Sequence, residues 1–469
     1  MTDKEANELK EQLFYKPKFA YDEYDDKTVS DMEEYSKGYI KFIDKCRIER
    51  EAVKYSIAEA EKHGYKEYNL GDKLEKGGRY YFNNRDKAVA FIRVGKNPIT
   101  EGVRIVASHI DSPRLDLKQH PLYENSGFAY FKTHYYGGIK KYQWTTIPLS
   151  LHGALVCADG SVQDIAIGVD PEDPVFYITD LLIHLAKDQM NKNLRSGIEG
   201  EQLNVLLGSR PLPGASKDVG DRIKLGIMKL IHDKYGITEA DFMSSELTAV
   251  PAYPARELGF DRSMIAAYGH DDRVCAYPSY TALFDSTDEI NTSMIVLADK
   301  EEIGSDGVTG MKSRIYMDII DELAKAFRAS PAKVRANSMC LSADVNAGFD
   351  PGFPEVNERN NACFLNQGVV MTKFTGSGGK SGTSDASGEF VGKIRKIFDD
   401  ANVIWQTGEL GKVDQGGGGT LAMYVANNNI DTIDVGVPVL SMHSPYEVIA
   451  KADLYETYKA FKAFIDWKE

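Results

Sequence analysis

The sequence is poor in cysteine and contains no apolar run of membrane-spanning length. Five of its 469 residues are cysteine, and none of them has C-x-x-C spacing. An odd number of scattered cysteines predicts buried thiols in a reducing compartment and argues against a disulfide framework. The first ten residues are charged and lack an apolar core, so we expect no secretory signal. These absences predict a cytoplasmic protein without a membrane span.

Runs of lysine and arginine are also absent, and the net charge is −14. Nucleic acids and anionic membranes are therefore not expected as partners. A chain of this length with 42% apolar residues can bury a large core, and its length predicts two or three domains. Composition alone does not identify a substrate.

The most informative segment is residues 298–305, Ala-Asp-Lys-Glu-Glu-Ile-Gly-Ser. It follows an apolar run at 294–297 that predicts a buried strand. Neighbouring side chains on an extended segment point to opposite sides, so Glu301 and Glu302 can have different roles. One of them can hold a metal ion while the other handles the proton of a water molecule. Taken alone, the pair is equally typical of a solvated surface.

Four other apolar segments also end in histidine or acidic residues. Their endings are His109-Ile110-Asp111, His270-Asp271-Asp272-Arg273, Asp344-Val345-Asn346 and His443-Ser444-Pro445. Open α/β sheets bind ligands beyond the carboxyl ends of their strands, so these side chains are expected to converge there. Imidazoles with carboxylates suit a pair of divalent metal ions, with zinc preferred and manganese or cobalt as alternatives.

The sequence pattern changes between about residues 117 and 255. Residues 147–156 and 162–169 predict strands there, and the stretch holds none of the metal-type clusters. We therefore expect a β-rich insertion at 117–255 that splits a catalytic domain into 1–116 and 256–469. Strand–turn–helix alternation is expected from about Tyr80 to His109, and a final helix at 453–467. The expected fold class is α/β, a mixed sheet flanked by helices.

Together the motifs resemble the M18 metallopeptidases, the aspartyl aminopeptidase family of zinc exopeptidases, over essentially the whole chain. The His-Asp-Asp-Arg spelling at 270–273 and the four glycines at 416–419 resemble the bacterial aminopeptidase 1 branch. The resemblance implies a zinc exopeptidase fold and hydrolysis of the N-terminal bond of peptide substrates. It also implies that the insertion is a dimerisation domain and that the chain forms a homo-oligomer, a dodecamer built from dimers.

The resemblance further assigns roles to individual residues. It implies five metal ligands, which are His109, Asp271, Glu302, Asp344 and His443. Asp271 matches the bridging position, with Asp272 as the alternative, and Glu301 matches the general base. Asp111 is expected to orient the His109 imidazole, because a metal-bound histidine usually donates its other N–H to such an acceptor. Which metal ion Asp344 serves stays open at this point.

Several side chains near the motifs keep two interpretations. Glu447 either contacts the free amine of the substrate or, as we favour, caps the following helix, and His270 is expected to support the ligands. Lys380 either binds an acidic side chain of the substrate or is a solvated lysine. Whether the enzyme prefers an acidic N-terminal residue or a neutral one such as leucine is therefore undecided. The glycines at 416–419 are expected beside the substrate.

The rival functions are an M42-type or M20-type hydrolase and a metal-free shell or cargo-binding protein.

Overall fold

The computed structural model describes residues 1–157, 159–287 and 289–468. The helices in this part of the chain are α1 (Asp3–Leu13), α2 (Ala20–Glu23), α3 (Asp26–Lys45), α4 (Glu49–Lys62), α5 (Lys187–Met190), α6 (Arg222–Tyr235), α7 (His270–Asp285), α8 (Ile315–Ala326), α9 (Pro331–Ala336), α10 (Gly388–Asp400), α11 (Ala422–Ala426) and α12 (Lys451–Asp466). The strands are β1 (Lys66–Glu67), β2 (Arg79–Asn84), β3 (Ala88–Arg93), β4 (Val103–His109), β5 (Arg114–Asn125), β6 (Phe128–Tyr136), β7 (Pro148–Val156), β8 (Val162–Ile167), β9 (Phe176–Tyr177), β10 (Val205–Gly208), β11 (Glu246–Pro251), β12 (Arg256–Leu258), β13 (Met264–Ala267), β14 (Thr292–Ala298), β15 (Met339–Ser342), β16 (Asn346–Ala347), β17 (Val369–Thr372), β18 (Trp405–Thr407), β19 (Asp431–Gly436), β20 (Pro438–Val439) and β21 (Glu447–Ala450).

Nine strands form the main sheet in the order β1-β2-β3-β14-β4-β15-β19-β17-β18. The central strands β14, β4, β15 and β19 are mutually parallel, whereas β3 and β17 run antiparallel to their neighbours β14 and β19. Every residue of β4 and of β14 is buried. Continuous apolar strands of this kind are typical of a sheet that is covered on both faces.

Alternate residues of the central strands pack into two separate apolar cores. Ile295 and Leu297 of β14 contribute to the core shared with α3, α4, α7, α10 and α12. Met294 and Val296 face the opposite core, which includes residues of α8, α9 and α11. This arrangement follows from the two-residue repeat of a strand, and it fixes which strand ends meet at the site.

A second β structure lies apart from the main sheet. Six strands pair in the closed order β11-β5-β6-β10-β9-β7, the β7–β11 pairing completes the ring, and β8 adds to β7. All of these pairings are antiparallel. The barrel has a core separate from the two cores of the main sheet, and Phe131, Trp144 and Leu247 are buried in it.

The mixed sheet flanked by helices is confirmed, and β7, β8 and α12 lie where the sequence predicts them. The strand–helix alternation expected between Tyr80 and His109 is wrong. In its place β2 and β3 form an antiparallel pair, and only a short 3-10 turn at Ile99–Glu101 precedes β4. Apolar runs predict strands but not the partners of those strands. In the described part of the chain, no helix has the length and apolar character needed to cross a membrane.

Candidate metal centre

Three of the five predicted motifs end neighbouring parallel strands of the main sheet. His109 is the last residue of β4 and pairs in register with Ala298 at the end of β14. Glu301 and Glu302 lie in a 3-10 turn just after β14, and Asp344 follows β15 on the other side of β4. Because these strands are parallel and in register, their carboxyl ends bring the imidazole and the carboxylates together.

The other two motifs reach the site from smaller sheets, which the sequence did not predict. β13, which precedes Asp271, pairs with β12 and β21, and β20, which precedes His443, pairs with β16. The turn into Asp271 requires Gly269, whose φ is +77°. A Cβ atom there would lie 1.6 Å from the Arg273 guanidinium, and this positive φ favours glycine.

The Asp271 carboxylate lies between the two imidazoles. Its Oδ1 is 3.2 Å from His109 Nε2, and its Oδ2 is 3.1 Å from His443 Nε2. Glu302 Oε1 is 3.4 Å from His443 Nε2, whereas Asp344 Oδ1 and Glu301 Oε2 are each 3.9 Å from His109 Nε2. The geometry therefore has two halves, one around each histidine, with Asp271 common to both.

Negative charge is concentrated and only partly compensated at this centre. Burial raises the pKa of Glu301 to about 7, and the charges of Asp111 and Asp271 add to that effect. Burial and nearby carboxylates also raise the pKa values of Glu302 and Asp344. Among the described residues, the buried Glu302 Oε1 makes no hydrogen bond. Imidazole nitrogens and carboxylate oxygens so close together are the ligands that zinc takes, so the residues fit the ion.

Asp111 connects His109 to the two glutamates. His109 Nδ1 lies 3.0 Å from the Asp111 carbonyl oxygen and 3.3 Å from its carboxylate Oδ1, and Oδ1 accepts the Glu301 N–H at 3.1 Å. Asp111 Oδ2 accepts the Glu302 N–H at 3.2 Å and the Tyr136 hydroxyl at 2.8 Å. Burial alone would raise the pKa of Asp111, but the hydrogen bonds and charge of its neighbours, led by His109, hold that pKa below its usual value.

Glu447 does not cap the helix that follows it, so the favoured interpretation of this residue is wrong. Helix α12 begins at Lys451, whereas the buried Glu447 carboxylate accepts the backbone N–H groups of Asp271 and His443, at 3.1 and 2.6 Å. It therefore fixes the backbone at both predicted ligands. In the sequence, the Ser-Pro-Tyr-Glu run after His443 places Glu447 close to the site. Its spacing does not indicate that Glu447 also has a partner near residue 271.

Three side chains near Asp271 lie behind the predicted ligands. Asp272 Oδ2 accepts the backbone N–H of His109 at 3.3 Å, and Arg273 donates to the Ile110 carbonyl. His270 is buried between the Tyr39 hydroxyl, at 2.6 Å from Nδ1, and the Ile265 carbonyl, at 3.1 Å from Nε2. Burial lowers the pKa of His270 to about 3, which keeps this imidazole neutral.

A cavity of about 810 Å³ lies beside His443. Its lining includes Ile139, Tyr142, Phe353, Met442 and Gly416, so the predicted glycine loop reaches it. Lys380 is not among its lining residues and borders a separate cavity of about 40 Å³. There its ammonium lies 3.0 Å from the Asp385 carboxylate and 3.7 Å from the centre of the Phe374 ring.

A family model described as aminopeptidase I zinc metalloprotease (M18) matches residues 42–465. The chain belongs to the M18 family of zinc metallo-aminopeptidases. This M18 chain is 46% identical over 457 residues to a probable M18 family aminopeptidase 1 from Clostridium acetobutylicum. The match covers 96% of the chain and 98% of that relative.

Solved M18 structures share the fold. An M18 aminopeptidase from Thermotoga maritima matches with a TM-score of 0.91 at 42% identity, covering 97% of this chain and all of the other. A structure of the S. cerevisiae mApe1 dodecamer matches with a TM-score of 0.75 at 22% identity, covering 92% of this chain and 97% of that one. The Clostridium relative places this M18 chain close to the bacterial aminopeptidase 1 branch, and the mApe1 structure supports the fold alone.

Proposed function

We propose that this M18 aminopeptidase uses two zinc ions that share Asp271 to release the N-terminal residue of peptides. The observation that carries the proposal is the Asp271 carboxylate, with one oxygen towards His109 and the other towards His443. A carboxylate with its two oxygens directed to separate imidazoles is suited to bridge two ions. Manganese and cobalt accept the same donor atoms and are the alternatives.

The distances support one assignment of the remaining ligands. Asp344 approaches His109, and Glu302 approaches His443. We therefore propose that His109, Asp271 and Asp344 hold one ion, and that His443, Asp271 and Glu302 hold the other. Three protein ligands for each ion leave a position open for water or substrate, which is typical of catalytic zinc.

Glu301 is proposed as the general base. When bound, zinc ions lower the pKa of a water molecule and polarise the scissile carbonyl. Glu301, whose carboxylate is the most exposed of the acids around His109, takes the proton of that water and returns it to the leaving amine. Asp111 keeps His109 oriented through its Nδ1, and the cavity beside His443 receives part of the substrate.

The proposed domain division is a catalytic part, 1–116 and 256–469, around an oligomerisation insertion at 117–255. Large apolar side chains are exposed on the surface of that insertion, among them Ile183, Leu185, Met190 and Leu194. Exposed apolar side chains of this size support burial against another subunit. A relative with the same fold forms a dodecamer, which we propose for this chain too. The five free cysteines support a cytoplasmic location.

The test is to remove metal from the purified protein, add zinc back and measure both zinc content and turnover. We expect two zinc ions per chain and release of the first residue from aminoacyl p-nitroanilides, such as the leucine and aspartate derivatives. Matched N-acetylated substrates should not be cleaved. Release of acetate from the acetylated substrates would indicate deacylase activity in place of aminopeptidase activity. Bound zinc without turnover of any substrate would indicate a shell or cargo-binding protein.

A further inference from the structure

Two hydrogen bonds connect the barrel directly to the metal centre. The Tyr136 hydroxyl, at the end of β6, donates to Asp111 Oδ2 at 2.8 Å. The carbonyl of Gly138 lies 2.8 Å from His443 Nδ1, so it accepts the proton that this nitrogen carries when Nε2 is free to bind a metal. A three-residue corner at 136–138 thus contacts the groups behind both imidazoles.

The Tyr136 ring is held in place independently of its hydroxyl. The ring is buried, and the Arg114 guanidinium lies 4.3 Å from its centre. Arg114 is itself fixed by ion pairs with Glu49 and Asp116. The phenol oxygen is therefore presented to Asp111 in one orientation, and removing only that oxygen should leave the packing intact.

The glycine that follows brings the backbone against Glu302. The φ of Gly137 is +76°, and a Cβ atom there would lie 3.3 Å from both the Cβ and the Oε2 of Glu302. A side chain at this position would press on a proposed ligand while adopting an unfavourable backbone conformation. The corner therefore fits closely against the metal centre at all three of its residues.

We propose that the 136–138 corner of the barrel positions both imidazoles for zinc, and that Tyr136 is a positioning residue that acts through Asp111. The hydroxyl fixes Asp111 Oδ2, so Oδ1 stays directed to the Glu301 N–H and to His109 Nδ1, which lies between this oxygen at 3.3 Å and the Asp111 carbonyl oxygen at 3.0 Å. Partners behind a metal-bound histidine usually set its orientation and its basicity. The inference rests on the proposed zinc centre and gives the barrel a role within the site of its own subunit.

The test compares Tyr136→Phe with Tyr81→Phe. Tyr81 is the matched control, because it is also buried and its hydroxyl also donates to a carboxylate, that of Glu61 at 2.9 Å. Zinc affinity is measured by competition with a chromophoric chelator, and unfolding temperature is measured on the zinc-free proteins. We expect Tyr136→Phe to bind zinc about 10- to 100-fold more weakly than wild type, the usual effect of losing such a partner. Tyr81→Phe should bind zinc as wild type does.

The outcomes separate this inference from the proposed function. Zinc binding by Tyr136→Phe within twofold of wild type, or an equal loss in both variants, would overturn it. Failure of the wild-type protein to bind zinc would refute the zinc centre first, and this inference with it. If Tyr136→Phe does not fold, Gly137→Ala decides the matter. That variant keeps the hydroxyl but should weaken zinc binding, and unchanged affinity would overturn the role of the corner.

Discussion

Replacing Glu301 with glutamine should lower turnover without loss of zinc, whereas replacing Glu302 with glutamine should weaken zinc binding. Glu301 and Glu302 share a turn after β14, yet they face different groups. The Glu302 side chain is 4% exposed and approaches His443, whereas the Glu301 side chain is 17% exposed and lies at the longer distance of 3.9 Å from His109. Glutamine preserves the shape of both side chains and removes only the charge and the ability to accept a proton.

The magnitudes follow from these positions. Glu301→Gln should retain both zinc ions while kcat falls by roughly 10²- to 10⁴-fold, the usual contribution of a positioned acid–base group. That loss corresponds to about 3–5 kcal/mol of transition-state stabilisation. Glu302→Gln removes a buried charge next to His443 and should weaken zinc binding by about 2–5 kcal/mol, as for a truncated buried charge pair. Its kcat should recover partly when zinc is raised.

The assay measures zinc per chain after dialysis against a chelator and then kcat on the same sample at saturating zinc. Wild-type protein carried through the same dialysis gives the reference for both quantities. If Glu301→Gln loses zinc as readily as Glu302→Gln does, Glu301 is a ligand and its assignment as the base is incorrect. Full activity of Glu301→Gln would refute the proposed proton transfer altogether.

Three further predictions concern other residues. Asp271→Asn should leave at most one zinc ion per chain in a metal titration, whereas Asp272→Asn should weaken binding only about 10- to 100-fold, and the reverse order would make Asp272 the bridge. Burial raises the pKa of Asp434 to about 6 in the folded protein. The protonated carboxyl therefore stabilises the fold fully at pH values below the pKa of the unfolded chain, and this stabilisation is lost as the pH rises through about 6. Asp434→Asn should therefore exceed wild type in urea stability by about 3 kcal/mol at pH 8 and by much less at pH 4, unlike the exposed control Asp431→Asn. Lys380→Met should change kcat/KM for aspartyl and leucyl substrates by similar factors, because this lysine already pairs with a carboxylate, and a selective loss on aspartyl substrates would contradict that reasoning.

Much of the fold could be predicted from local pattern. The apolar runs before His109, Glu301 and Asp344 predicted β4, β14 and β15, because buried parallel strands are apolar on both faces. The pairing of β13 with β21 could not be predicted in this way, because it joins residues from distant parts of the sequence. The short strand before His443 likewise pairs with β16, outside the main sheet.

At the candidate centre, the motifs predicted which residue types converge but not what surrounds them. The separation into a His109 half and a His443 half depends on the direction of each Asp271 oxygen, which no spacing encodes. Tyr136 and Gly138 had no detectable signal, because they belong to the barrel and contact the site only through the folded chain. The metal-ligand roles themselves stay predictions until the variants are measured.

The order in which the chain is synthesised has a consequence for metal loading. The barrel lies between His109 and Asp271 in the sequence, and His443 is the last of the proposed ligands along the chain. A chain still emerging from the ribosome therefore lacks part of the centre until His443 has been made. Ions that bind only the finished fold stabilise it by mass action, by about 2.7 kcal/mol at a hundredfold excess over Kd. Zinc acquisition would then follow the synthesis of His443, and chains that terminate before it would remain poorly loaded and more easily degraded.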